Sequence, residues 1–310
     1  MRATSEKGRE MATAADTFQR KEKKYLITTE QAQAMKDGLA ARMRLDDYGR
    51  TRIDSLYLDT PEHDLISRSL EKPLYKEKLR IRSYGPFSEA RTVFVEIKKK
   101  FKGIVYKRRV LMTTEAARAY LAGMTYEEAQ RAYPIDSANP DAALAPGKVQ
   151  IAREIDAFFA RHPGLEPAML ISCMREAWCP IDLEDADCVD RITFDEDIEY
   201  VDFLDAESTM RRNVASKGQV VMEIKCAGGY PLWLCALMAE CDVYPRSFSK
   251  YGNAYKRTLV DSGAATARPN DDGKVVVDHV PSRRIAQPER SLGDILLGAF
   301  GLHRRKRVAV

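Results

Sequence analysis

The chain has 310 residues, 45% hydrophobic and 31% charged, with 50 basic against 46 acidic residues and a net charge of +4. That composition fits a soluble globular protein of one large domain or two smaller ones, and so mild a charge does not by itself argue for a nucleic-acid partner. No run reaches the roughly 18 apolar residues of a membrane helix, and Met1 to Gln19 lack the apolar centre of a secretory signal, which predicts a cytoplasmic protein.

Residues 1–16 are expected to be a disordered extension, with a folded domain over 17–260. Thr17–Thr28 alternates and predicts a strand, after which Thr28 or Thr29 caps a helix through about Met43. Arg52–Asp59 reads as a strand closed by Thr60-Pro61. Leu74–Tyr84 and Thr92–Phe101 follow as strands across the turn Gly85-Pro86-Phe87-Ser88, and Val105–Met112 returns after Lys102-Gly103. Thr114–Leu121, Tyr126–Tyr133 and Gly147–His162 carry helical spacing around a loop at Pro134–Pro146. Strands resume at Ala168–Trp178, Cys188–Tyr200 and Gln219–Cys226, and helices at Leu232–Cys241 and Ser249–Val260.

Residues 261–310 are small, polar and basic, and predict a disordered tail. Within it an apolar patch, Ile295–Leu302, precedes His303-Arg304-Arg305-Lys306-Arg307, so that 295–307 offers a weak membrane contact. The six cysteines show no metal-ligand spacing and read as isolated buried thiols.

The strands carry an unusual charge pattern. Residues two apart share a strand face, which pairs Glu22 with Lys24, Glu96 with Lys98, and Glu223 with Lys225. Lys78, Arg80 and Arg82 likewise share one face, with Leu79 and Ile81 on the other. Lys107 and Arg109 share another, although a one-residue slip would turn Arg108 inward instead. Arg191 stands with Asp195, and Arg175 is the isolated cation of Ile171–Arg175. Any one such face is most simply a solvated one. The recurrence of the pattern over most strands instead predicts that about eight strands close into a barrel whose lumen holds cations and takes an anion. In that lumen, Glu22 and Glu96 would offset the lysines beside them.

The segments Arg20-Lys21-Glu22-Lys23-Lys24-Tyr25, Ser55-Leu56-Tyr57-Leu58-Asp59, Lys78-Leu79-Arg80-Ile81-Arg82, Glu96-Ile97-Lys98, Arg191-Ile192-Thr193-Phe194-Asp195, Glu223-Ile224-Lys225 and Ser249-Lys250-Tyr251 together resemble the VTC domain. That domain is the polyphosphate polymerase branch of the CYTH-like triphosphate tunnel metalloenzymes. The resemblance runs from about Phe18 to Lys256. It implies an α+β fold, an antiparallel eight-stranded tunnel with helices packed outside and a helix near the domain's C-terminal end.

It further implies that Lys24, Arg80, Arg82, Lys98, Lys107, Arg175, Arg191, Lys225 and Lys250 act on the phosphates, supported by Arg20, Arg109 and Tyr57. Glu223, with Glu96 as second candidate, would hold Mn2+ or Mg2+. ATP and inorganic polyphosphate would be the substrates. Related hydrolases and cyclases resemble one another in a first-strand Glu-x-Glu-x-Lys, where this chain has Arg20-Lys21-Glu22-Lys23-Lys24. A cation in place of the first carboxylate favours polymer synthesis over hydrolysis of tripolyphosphate or a nucleoside triphosphate. A non-catalytic polyphosphate-binding module is the remaining alternative.

Overall fold

The computed structural model describes residues 21–182, 189–204, 210–261, 267–269 and 275–277. The expected extension 1–16, Arg20, and the 295–307 contact lie outside the described residues.

In chain order the elements are β1 (Lys21–Thr28), α1 (Thr29–Leu39), β2 (Met43–Leu45), β3 (Thr51–Asp59), α2 (Asp64–Leu70), β4 (Tyr75–Tyr84), β5 (Thr92–Phe101), β6 (Ile104–Thr113), α3 (Thr114–Leu121), α4 (Tyr126–Ala132), α5 (Pro146–Arg161), β7 (Glu166–Pro180), β8 (Arg191–Asp202), β9 (Arg212–Asn213), β10 (Gln219–Cys226), α6 (Leu232–Glu240) and α7 (Lys250–Asp261). Two further strands, β11 (Ala267–Pro269) and β12 (Val275–Val277), pair with each other.

The main sheet runs β1-β10-β8-β7-β3-β4-β5-β6, all neighbours antiparallel, with β2 added to β7 and β9 to β8. It curls strongly, so that β1 and β5 face each other and Glu22 reaches Lys98 at 3.2 Å across the lumen. The α+β fold and the eight-stranded antiparallel wall are those expected from the sequence, as a half-barrel of curled sheet.

Local chemistry accounts for the ends of elements. Thr28 and Gln31 form a reciprocal capping box that starts α1, and Thr125 with Glu128 does the same for α4. Lys102 and Gly103 both have positive φ, 46° and 88°, as a two-residue hairpin between β5 and β6 requires. The predicted helix through Met43 stops at Leu39, because Met43 instead pairs with Pro180 of β7. Helix α2 was not expected from the sequence. The buried carboxylate of Asp59 holds its first turn by accepting from the backbone N–H of Leu65 and Ile66, at 2.8 and 3.0 Å.

Three apolar clusters fix which strand face is which. One lies outside β3 to β6 under α3, α4 and α5, and includes Leu79, Ile81, Val95, Ile97 and Phe158. A second, outside β1, β8 and β10, gathers Tyr25, Ile192, Phe194, Met222 and Ile224 beneath α1 and α6. The third is inside: Ile53, Cys173 and Val221 meet Ile66 of α2 and Tyr251, Ala254 and Tyr255 of α7. Helix α7 therefore lies against the inward surface of the sheet.

Candidate functional site

Because Leu79, Ile81, Val95 and Ile97 are fully buried on the outer side, the alternate residues of β4 and β5 must point inward. Register then sets two cross-strand rungs. Lys78, Lys98 and Lys107 stand opposite one another on β4, β5 and β6, and so do Arg80, Glu96 and Arg109. Like charges directly opposed repel, so this wall is loaded against itself.

Glu96 is the wall's counterweight. It is 1% exposed, with Arg80 Nη2 at 2.6 Å, Lys107 Nζ at 2.7 Å and Arg109 Nη1 at 3.8 Å. Burial opposes its ionisation, yet Arg80, Arg82 and Lys107 hold its pKa well below the carboxylate range. The cations respond in opposite ways. Arg80, paired with Glu96, is held above its ordinary value, whereas burial pushes Lys107 down to about 7 and Lys78 down to about 8. Burial also lowers Lys98 and Arg82. The register leaves Arg108 on the outer side with Glu154 of α5, and Lys107 and Arg109 inside.

The opposite wall repeats the arrangement. Arg175 grips Asp195 with two bonds, Nε to Oδ1 at 2.6 Å and Nη2 to Oδ2 at 2.7 Å. Lys250 of α7 also bonds Asp195, and its Nζ lies 3.3 Å from Cys173 Sγ. Burial again opposes ionisation of Asp195, and Arg175 and Lys250 overcome it. Glu223 sits between Lys225, 2.6 Å from Oε1, and Lys24, 3.5 Å from Oε2, and its pKa is likewise well below normal.

Between the walls lies an aromatic pair. Tyr57 receives a bond from Arg80 Nη1 at 3.1 Å and stacks on Tyr251, while Arg82 Nε donates to Ser55 Oγ at 3.2 Å. Burial raises the Tyr57 pKa, but Arg80, Arg82 and Lys78 outweigh it and bring it to about 7.

The structure thus brings Lys24, Tyr57, Arg80, Arg82, Glu96, Lys98, Lys107, Arg109, Arg175, Glu223, Lys225 and Lys250 to one inner surface. Arg191 is on that face by register with Lys225, but its guanidinium bonds Asp46 in the loop after β2. Sequence reasoning placed Lys78 on the face of Arg80 and Arg82, and Asp195 on that of Arg191, but gave neither a role in the site. The chain also shifts register around Asp197 of β8, φ 48°, so that inward positions change from Asp195 to Ile198 and Tyr200. Of the cysteines expected to be buried, Cys173 and Cys226 are, Cys179 and Cys241 are partly exposed, and Cys235 is exposed on α6. Cys188 lies outside the described residues.

Among the described residues, no three His, Cys, Asp or Glu side chains are grouped to hold a cation by themselves. Carboxylates do lie diagonally across β1 and β10, where Glu22 faces Lys225 and Glu223 faces Lys24. Mg2+ commonly takes one or two carboxylates and completes its shell with substrate phosphates and water, so the donor set fits a metal that arrives with a phosphate chain. Glu96, enclosed by three cations, fits less well.

No curated protein matches the chain. Similar solved structures include a candidate adenylate cyclase from Vibrio parahaemolyticus, 10% identical over 76% of this chain and 98% of that one, TM-score 0.37. Another is HpAC1 from Hippeastrum, a candidate adenylyl cyclase with a dominant triphosphatase activity, at 13%, 79%, 96% and 0.39. A third is the PH1012 protein from Pyrococcus horikoshii OT3, at 12%, 74%, 96% and 0.33. Likeness of that degree says nothing of chemistry. Residues 19–259, from β1 into α7, match the family model described as the VTC domain, and the chain belongs to that family.

Proposed function

We propose that this protein is a polyphosphate polymerase, which transfers the terminal phosphate of ATP to the end of a polyphosphate chain and releases ADP. The observation that carries this reading is that the three carboxylates standing among the inner cations are each held by two of them: Glu96 by Arg80 and Lys107, Asp195 by Arg175 and Lys250, Glu223 by Lys225 and Lys24. Such carboxylates are poor bases. A water nucleophile needs a base, whereas the terminal oxygen of a phosphate chain is already ionised. It attacks the γ-phosphorus, the bond to the β,γ-bridging oxygen breaks, and ADP leaves with the electron pair.

Arg80, Arg82, Arg109 and Arg175 are suited to bind and align phosphate oxygens and to meet the charge that spreads over the transferring group. The Lys78, Lys98 and Lys107 rung would hold neighbouring phosphates, and Lys250 would bring α7 into the same charge set. A divalent ion, Mn2+ or Mg2+, would be held by Glu223 with Glu22 nearby and would supply further neutralisation of phosphate charge when bound.

A hydrolytic reading of the same surface assigns the base to Lys107 or Lys78, whose pKa values of about 7 and about 8 leave part of each neutral near pH 7–8. A bound polyanion would reprotonate both, which supports the transferase. The test is incubation of purified protein with ATP and Mn2+ or Mg2+. Polyphosphatase-sensitive polymer with matching ADP, lost in Arg80→Ala and Glu223→Ala, is expected. Phosphate release without polymer would assign hydrolysis, and chain binding without turnover a binding module.

A further inference from the structure

Helix α6 breaks the usual rule for a surface helix. Its sequence, Leu-Trp-Leu-Cys-Ala-Leu-Met-Ala-Glu, is apolar on every side until its last residue, a pattern proper to a helix that is covered all round. Among the described residues, only one side is covered. Leu234 and Met238 enter the apolar cluster beneath it, and Leu237 packs so closely on α1 that a Cβ at Gly38 would stand 2.2 Å from its Cδ1. The other side, Leu232, Cys235, Ala236 and Ala239, is in solvent, and Leu232 is 88% exposed.

The edge of this face has a distinct chemistry. The loop Gly228-Gly229-Tyr230-Pro231 leads into Leu232-Trp233, and exposed cations sit over both of its aromatic rings: Lys23 Nζ lies 5.2 Å from the Tyr230 ring and Arg42 lies 5.5 Å from Trp233. The acidic residues Glu240 and Asp242 are at the far end of the helix. Exposed leucine, aromatic rings and flanking cations at one tip match the boundary of an anionic bilayer, where apolar groups enter, rings sit at headgroup depth and cations meet lipid phosphate and carboxylate. The basic run 303–307 of the same chain shares that preference, and its charge makes it a poor cover for a face edged by Lys23 and Arg42.

We infer that the tip formed by Tyr230–Trp233 and the outer face of α6 dock this protein on an anionic membrane surface. This inference stands apart from the reaction proposed above. The test is co-sedimentation of the full chain with phosphatidylcholine vesicles, with and without phosphatidylserine. Binding to the anionic vesicles is expected, reduced about tenfold or more by Leu232→Asp and several-fold by Lys23→Glu. A polarity-sensitive dye on Cys235 should shift to the blue on those vesicles.

Leu232 is exposed, so its variant should unfold at the wild-type temperature, and Ala236→Glu provides a second variant with the same expectation. No binding to either vesicle would overturn the inference. So would binding that Leu232→Asp and Ala236→Glu leave intact, which would assign it to the 303–307 run. A dimer abolished by Leu232→Asp, with no vesicle binding, would assign the face to a second copy of the chain and equally overturn it.

Discussion

Tyr57 of β3 and Tyr251 of α7 stack with ring centroids 4.5 Å apart and planes 21° from parallel. The contact places α7 on the cationic inner wall, and the Tyr251 hydroxyl continues inward to Asp59 Oδ2 at 2.7 Å. Asp59 in turn holds α2.

Tyr251→Phe keeps the stack and removes the donor to a buried carboxylate. The expected cost is about 1–2 kcal/mol, or a few degrees of Tm for a domain of this size. Tyr251→Ala removes the ring as well and should cost about 3–5 kcal/mol, with loss of phosphate-chain binding as α7 and Lys250 loosen. Calorimetry of the two variants checks this, and an unchanged Tm in both would contradict it.

Acid should destabilise the fold through Glu96 and Asp195. Their folded pKa values are depressed, so their contribution is present above the ordinary values of 4.5 and 3.8 and is lost as pH falls below them. Glu96→Gln leaves Arg80, Lys107 and Arg109 without their shared partner, and should cost about 3–5 kcal/mol at neutral pH. That deficit should shrink in acid, where the parent protein loses the same interaction. Denaturant unfolding across pH 3–7 reads it, and a deficit independent of pH would contradict the assignment.

Phosphate binding should take up protons. In the free protein the Lys107, Lys78 and Tyr57 pKa values are about 7, 8 and 7. A polyanion raises all three, so protons are absorbed on binding near pH 8 and affinity declines as pH rises further. Titration calorimetry with tripolyphosphate in two buffers of different ionisation enthalpy measures the number. Lys107→Met should reduce it, and proton release would contradict the account.

Arg108 and Arg109 are neighbours with opposite fates. Arg109→Ala should weaken tripolyphosphate binding by about tenfold or more, as loss of a charged hydrogen bond does. Arg108→Ala, which loses only Glu154 and a partly exposed pair, should leave binding unchanged and cost about 1 kcal/mol or less. Equal effects on binding would mean that the β6 register is wrong.

Much of this was legible in the sequence, for a physical reason. Parity holds along β4 and β10, so Leu79 and Ile81 in the core force Arg80 and Arg82 into the lumen, and the same logic places Glu223 with Lys225. The rest depends on contacts distant in sequence. Nothing near Arg191 shows that it bonds Asp46, or near Asp195 that it serves both Arg175 and Lys250. The Asp197 irregularity reverses parity within β8, which no alternation pattern reveals. The β2 strand is three residues long, too short for any period to show, and exists because β7 is there to pair with it.

The cationic inner surface is proposed to join phosphate to phosphate rather than to water. The most direct measurement is 31P NMR of purified protein with ATP and Mg2+ over many turnovers. Growth of the chain-internal phosphate resonance in step with ADP is expected; accumulation of orthophosphate alone would show transfer to water instead.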